Sequence, residues 1–242
     1  METRCIKTRC IKPEKDPLGT MLLDYLKGDK HVFVQVESSL LDMSCMTGEI
    51  MFRDKEGMSS MELKALELCR GRILDVGAGS GCHSLVLQNN DQDVTALDIS
   101  PGCLKVMEKR GVQLCLPGSV FAMDGKKFDT LLMLMNGMGI CGSIEGLNIF
   151  FQVIRSILKP GGQVIADSTD LAAMYGPMAL IPGEEPYFGE TDFTMTYRDM
   201  VGDPFEWLYI DYATLEFYAR FHGWKCEKIF SGPHGKYLVR IY

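Results

Sequence analysis

The sequence predicts an α/β protein built on a doubly wound, mainly parallel sheet. Two observations carry this. Between residues 72 and 168, short apolar runs alternate with segments of helical period, the pattern of strand–helix–strand crossovers. Within that stretch, Arg72-Ile73-Leu74-Asp75-Val76 runs straight into Gly77-Ala78-Gly79-Ser80-Gly81, and Val94-Thr95-Ala96-Leu97 closes on Asp98. A strand, a glycine turn, a helix and a second strand ending in an acid make half of a nucleotide-binding sheet. Glycines let backbone N–H groups approach a ligand closely. A carboxylate at a strand tip can accept hydrogen bonds from both hydroxyls of a ribose.

The elements follow in order. Residues 13–28 read as a short helix stopped by Gly28, and 32–37 as a strand. Ser59-x-x-Glu62 is a capping box, with Met61, Ala65, Leu68 and Cys69 behind it at helical spacing. Residues 1–58 are therefore assigned to a tail and a lead-in that could pack across the mouth of the main unit, 59–242. Strands are expected at 72–76, 93–98, 112–116, 128–135 and 163–168. The run 128–135 is continuously apolar, as a strand covered on both faces should be. Helices are expected at 80–89, from the cap Ser100-Pro101 to Gly111, and at 144–158, where Lys159-Pro160-Gly161-Gly162 stops the helix. Beyond Asp170 the alternation breaks. An insertion at about 171–210 begins irregularly and then reads as two strands, 193–198 and 205–210, joined at Gly202-Asp203-Pro204. A helix at 211–222 and a hairpin, 224–230 with 237–242, close the chain.

Composition narrows the partners. Apolar residues make up 46% of the 242 positions and charged ones 24%, the balance of a globular protein with a sizeable core. A net charge of −7 disfavours nucleic acid, whose binders carry a basic face. The longest uncharged stretch, 130–144, is short for a membrane span and carries glycines. Nine cysteines, odd in number and without metal-ligand spacing, point to a reducing, cytoplasmic setting, and no apolar leader is visible at the N-terminus. No metal is expected: the sixteen methionines are scattered as core filler. The doubled Thr-Arg-Cys-Ile-Lys at 3–7 and 8–12 reads as a basic tail.

The glycine turn fits two cofactor classes. A dinucleotide fingerprint wants a third glycine where Cys82 stands, and no phosphate-binding loop of the Gly-x-x-x-x-Gly-Lys type exists. Instead, four segments in order resemble the class I S-adenosylmethionine-dependent methyltransferases. They are Leu74 to Gly81, Leu97-Asp98-Ile99-Ser100-Pro101, Phe128-Asp129-Thr130 running on to Asn136-Gly137, and Leu158-Lys159-Pro160-Gly161-Gly162. The closing hairpin matches that family's antiparallel end strands, so the resemblance implies a Rossmann-like sheet of seven strands. Asn136-Gly137-Met138-Gly139-Ile140 and the helix 61–68 further resemble a bacterial group of small methyltransferases.

The resemblance implies roles. Asp75 would order the glycine loop or reach the amino group of the methionine moiety. Gly77, Ala78, Gly79 and Gly81 would leave room for that moiety. Asp98 would hold the ribose and Ile99 would lie against adenine. Ser119 stands where the family often has an acid facing the adenine amino group. Asn136 and Gly137 would line the meeting point of cofactor and acceptor. The implied reaction is methyl transfer to a small molecule. A non-catalytic cofactor-binding sensor is the alternative. No catalytic base is assigned, because an in-line displacement at a sulfonium methyl asks chiefly for positioning and desolvation. The absence of Asn-Pro-Pro-Tyr after the fourth strand disfavours nucleobase amines. Asp167 and Asp170 are open between base, cation binder and turn cap. Tyr187, Tyr197, Trp207 and Tyr209 are open between lid and packing surface. His83 and His222 are expected in core or face roles.

Overall fold

In the computed structural model, which describes residues 10–125, 127–175 and 187–242, the chain forms two sheets. The lead-in opens with α1 (Pro17–Lys27), capped by Asp16 and ended by Gly28 in the left-handed region. β1 (Phe33–Ser38) and β2 (Ser44–Thr47) pair antiparallel and lead into a single turn, α2 (Gly48–Met51). α3 (Ser60–Leu68) starts on the expected capping box: Ser59 Oγ accepts from the Glu62 N–H, and the Glu62 carboxylate accepts from the Ser59 N–H. Most of the doubled N-terminal segment lies outside the described residues.

The main unit then alternates as expected. β3 (Arg72–Val76), α4 (Cys82–Asn89), β4 (Asp93–Asp98), α5 (Pro101–Arg110), β5 (Cys115–Pro117), β6 (Phe128–Met133), α6 (Ile144–Ile157) and β7 (Leu158–Thr169) form its body. α7 (Ala172–Tyr175) ends at the edge of the undescribed stretch, which holds the insertion's three prolines. β8 (Glu190–Tyr197), β9 (Met200–Val201), β10 (Phe205–Leu208), α8 (Tyr212–Phe221), β11 (Cys226–Ser231) and β12 (Lys236–Ile241) complete the chain. The main sheet has seven strands in the order β11-β12-β7-β6-β3-β4-β5. β3 to β7 are mutually parallel, while β12 runs antiparallel to β7 and pairs antiparallel with β11. Alternate residues of β6 explain its unbroken apolar run. Leu131 and Met133 bury against Phe150, Phe151 and Ile154 of α6, and Leu132 buries in the opposite cluster with Ala65 and Leu87.

The second sheet, in the order β10-β8-β1-β2 with β9 on β8, was not legible as one unit. β1 from the lead-in pairs antiparallel with β8 from the insertion, from Gln35 against Thr196 to Ser38 against Phe193. The expected turn at Gly202-Asp203-Pro204 is corrected. The chain reverses at Arg198-Asp199, where Arg198 adopts a φ of 52°, and residues 202–204 instead interrupt one edge of β8 between β9 and β10. Pro204 has no N–H to continue the ladder.

The inner face of this cap sheet packs on α1, and α1 packs on α5. Glycine permits the second contact: a Cβ on Gly19 would lie 2.7 Å from the Gly102 Cα, and one on Gly102 would lie 2.5 Å from the Gly19 Cα. Beside them, the buried Asp16 carboxylate accepts from Gly19 N–H at 3.0 Å, Gly102 N–H at 2.8 Å and the Ser100 hydroxyl. One acid thus caps two helices and fastens the lead-in to the tip of β4.

Replacing Gly19 with Ala is expected to destabilise the protein by about 1–3 kcal/mol through overpacking. Chemical denaturation checks it, and an unchanged midpoint would refute the contact.

Candidate active site

The glycine turn after β3 puts Gly77, Gly79 and Gly81 at φ of 70°, 59° and 79°, a region that side chains disfavour. Its N–H groups are used internally. Gly77 and Ala78 donate to Leu97 O, Gly81 donates to Ala78 O, and Gly79 donates to the Asp98 carboxylate at 2.8 Å. The turn therefore offers a bare backbone surface more than free donors. Gly77 is exposed, with the Ile140 side chain 3.1 Å from where its Cβ would be. Gly81 faces inward, where a Cβ would meet Val112 and Met107, and Ala78 is buried among Ala96, Met107 and Val112. Those two positions shape the turn by packing.

Asp98 ends β4 with each oxygen half used. Oδ2 accepts from Gly79 N–H, and Oδ1 accepts from Ser100 N–H at 2.8 Å. A carboxylate has about four acceptor positions, so both oxygens can still take a hydroxyl. Burial pushes the acid up to about 6, against those two hydrogen bonds. Ile99 is half-buried beside it. Ser119 is buried, and its hydroxyl accepts from Phe121 N–H at 3.3 Å, leaving its proton free to donate. Asp75 turns toward α4, where it accepts from the Ser84 hydroxyl at 2.6 Å. Burial raises its pKa.

After β6 two successive non-glycine residues are left-handed, Met135 at φ 65° and Asn136 at φ 59°. Asp167 at the end of β7 holds them there. Its Oδ2 accepts from Asn136 N–H and its Oδ1 from Gly137 N–H, both at 2.9 Å. This answers the open reading of Asp167: it shapes the loop after the neighbouring strand. Asp170 instead caps α7 through Ala172 N–H and lines an open pocket of about 330 Å³ with Lys228, Lys236 and Tyr212, away from the glycine turn.

The cap sheet and lead-in touch the tips of four main strands. Met51 O accepts from the Ser80 hydroxyl after β3, and the Met51 methyl covers Gly79. Asp16 holds the start of α5 after β4. Trp207 covers Gly139 after β6, where a Cβ would penetrate the indole. Ile210 N–H donates to Ser168 Oγ on β7 at 3.2 Å. Tyr187 and Tyr197 bond Asp211 and Asp24, which makes both part of the packing surface.

Several contributors had no local signal in the sequence. Arg110 donates to Ser80 O at 2.7 Å and lies over the Phe52 ring. Arg53 and Glu62 form an ion pair that also holds His83, whose Nε2 is 2.8 Å from Glu62. Burial opposes charge on His83, but its hydrogen bonds to Cys82 and to the accepting Glu62 carboxylate prevail and raise it to about 10. His83 thus takes a core position, as expected, and is held there by its pairing with Glu62. His222 keeps a face role, stacked on Phe151 and bonded to Asn148.

A family model described as "Methyltransferase domain" matches residues 73–162. The solved structure of a SAM-dependent methyltransferase from Bacteroides fragilis, in complex with S-adenosyl-L-homocysteine, is 41% identical, covers 98% of this chain and 99% of its own, and superposes with a TM-score of 0.90. The chain belongs to the S-adenosylmethionine-dependent methyltransferases.

A more distant solved structure shares the fold. The CcbJ methyltransferase of Streptomyces caelestis is 14% identical over 75% of this chain and 88% of its own, with a TM-score of 0.60. A demethylmenaquinone methyltransferase of Tropheryma whipplei is 28% identical over 98 residues, 38% of this chain and 39% of that protein's length. The residues present suit the family's cofactor. The bare glycine surface, the half-used Asp98 oxygens and the turn after β6 converge at the strand tips, and the carboxylates there suit a ligand carrying a sulfonium charge.

Two predictions follow from the carboxylates. S-adenosylhomocysteine affinity, measured by calorimetry, should weaken as pH falls through about 6, where Asp98 protonates, by roughly tenfold per pH unit below that point. The ligand-free fold should respond oppositely. An acid raised in the folded state binds its proton there first, so stability falls as pH rises from 3.8 toward 6. Replacing Asp167 with Asn should cost about 1–3 kcal/mol of stability by removing one acceptor from two buried donors. It should also weaken S-adenosylhomocysteine binding. A variant that melts and binds normally would show that the loop holds itself.

Proposed function

We propose that the protein transfers the methyl group of S-adenosylmethionine to a small-molecule acceptor held between the main sheet and the cap sheet. The observation carrying this reading is the cover over the strand tips. Lead-in and insertion join in one sheet and reach the ends of β3, β4, β6 and β7, the mouth where a doubly wound fold binds its ligands. Such a cover suits an acceptor small enough to be enclosed. The net charge of −7 supports the same choice over nucleic acid. Every described cysteine is free, which supports a cytoplasmic setting, and no described helix is long and apolar enough to cross a membrane.

In this reading Asp98 accepts from the ribose hydroxyls, with its two backbone donors fixing the direction of its free lone pairs. Gly77 and Gly79 give the methionine moiety its room, while Ala78 and Gly81 hold the turn from behind. Asp75 anchors the turn to α4. Ile99 lies against adenine, and the Ser119 hydroxyl donates to a ring nitrogen rather than accepting from the amino group. Asn136 and Gly137 line the side from which the acceptor arrives. The bound cofactor supplies an activated methyl. The protein's own part is alignment of the nucleophile and exclusion of water.

Calorimetry with S-adenosylmethionine, S-adenosylhomocysteine and NAD tests the cofactor, and Asp98→Ala tests the ribose role. Binding of the first two, lost in the variant, is expected. Binding of NAD alone would overturn the reading. S-adenosylhomocysteine release from fractionated metabolite pools tests catalysis, and silence with every pool would favour the sensor alternative.

A further inference from the structure

The turn after β6 carries an acceptor atom that no described residue uses. Asn136 Nδ2 donates to Leu208 O in β10 at 3.4 Å. A carbonyl only accepts, so that contact fixes the amide and makes the other atom the oxygen. Oδ1 is buried and has no partner among the described residues. A buried oxygen left so is costly, and a ligand hydrogen would satisfy it.

The cap strand that Asn136 Nδ2 reaches carries aromatic side chains. Trp207, next to Leu208, lies over Gly139, whose N–H donates to Asn136 O. On the same side of the cap sheet, Phe193 lies 6.0 Å from Phe205 and 6.3 Å from both Trp207 and Tyr209. By register, the described residues of that face carry no charged side chain. On the other side, Ile140 links this turn to Gly77 of the cofactor surface.

We infer that Asn136 Oδ1 and Trp207 form the acceptor subsite, and that the acceptor is a neutral amine on an aromatic or apolar body. The inference rests on the methyltransferase reading above. An amide oxygen holds a hydrogen bond but takes no proton. A nucleophile bound to it must therefore attack while keeping its hydrogen. A neutral amine does so, whereas a phenol or alcohol must pass its proton to a base, which an amide oxygen is not. The nitrogen lone pair forms the new N–CH₃ bond as the S–CH₃ bond breaks and leaves its electron pair on sulfur. The resulting ammonium later gives its proton to water. While it lasts, its charge is stabilised by the aromatic rings around it.

The full chain is assayed with S-adenosylmethionine and tryptamine, benzylamine or aniline. Catechol and indole-3-carboxylate serve as contrasts. S-adenosylhomocysteine release and methyl incorporation by mass spectrometry are read together. At least one amine should be methylated at nitrogen, and neither contrast should react. Trp207→Leu keeps an apolar body without a π face and should raise the amine KM by roughly tenfold, with S-adenosylhomocysteine affinity as the control for folding. Asn136→Gly tolerates the left-handed backbone and should lose more in amine kcat/KM than in S-adenosylhomocysteine affinity. Two results overturn the inference: S-adenosylhomocysteine binds but no amine binds or reacts, or catechol oxygen is methylated in preference. Failure of S-adenosylhomocysteine to bind would instead overturn the cofactor reading.

Discussion

The Asp98 carboxylate organises this molecule. Held between Gly79 N–H and Ser100 N–H, it ties the glycine turn to the start of α5. The Ser100 hydroxyl passes the line to Asp16, which accepts in turn from Gly19 at the start of α1. A continuous run of hydrogen bonds thus joins the glycine turn to the helix under the cap sheet. Displacing any member would leave buried donors without acceptors, so the position of the cap and the shape of the glycine turn are set together.

The strand tips share a design. Asp75, Asp98 and Asp167 lie at or near the C-terminal ends of β3, β4 and β7, and each spends oxygens on nearby N–H or O–H donors. Burial raises all three. Buried carboxylates are expensive without compensation, which the hydrogen bonds supply in part. Buried His83, paired with Glu62, adds a positive charge that favours the ionised forms of Asp75 and Asp167. The strain in Met135 and Asn136 belongs to the same arrangement, since Asp167 holds a turn that its own residues disfavour.

Much of this was legible in the sequence. Local rules placed the elements: the capping box at Ser59, Pro101 after Ser100, glycines past α1 and α5, and the apolar run of β6. Asp98 and the three glycines were legible because a strand followed by a tight turn needs those residue types at that spacing. The role of Asp16 was not, because its partners at 100 and 102 lie far along the chain. The turn at 198–199 was hidden as well. Gly202-Asp203-Pro204 has turn chemistry, but pairing with β8 used it as an interruption.

By itself the sequence determined the doubly wound sheet and its closing hairpin, because periodicity and turn chemistry act over a few residues, and its resemblance to a known family implied the kind of cofactor. Only the tertiary structure decided how the mouth is covered. The pairing of β1 with β8, the seating of Trp207 on Gly139, the grip of Asp167 on Asn136 and the contact of the Asn136 amide with Leu208 all join residues distant in the chain. Contacts of that kind depend on which surfaces meet once the core has closed, and no local pattern records them.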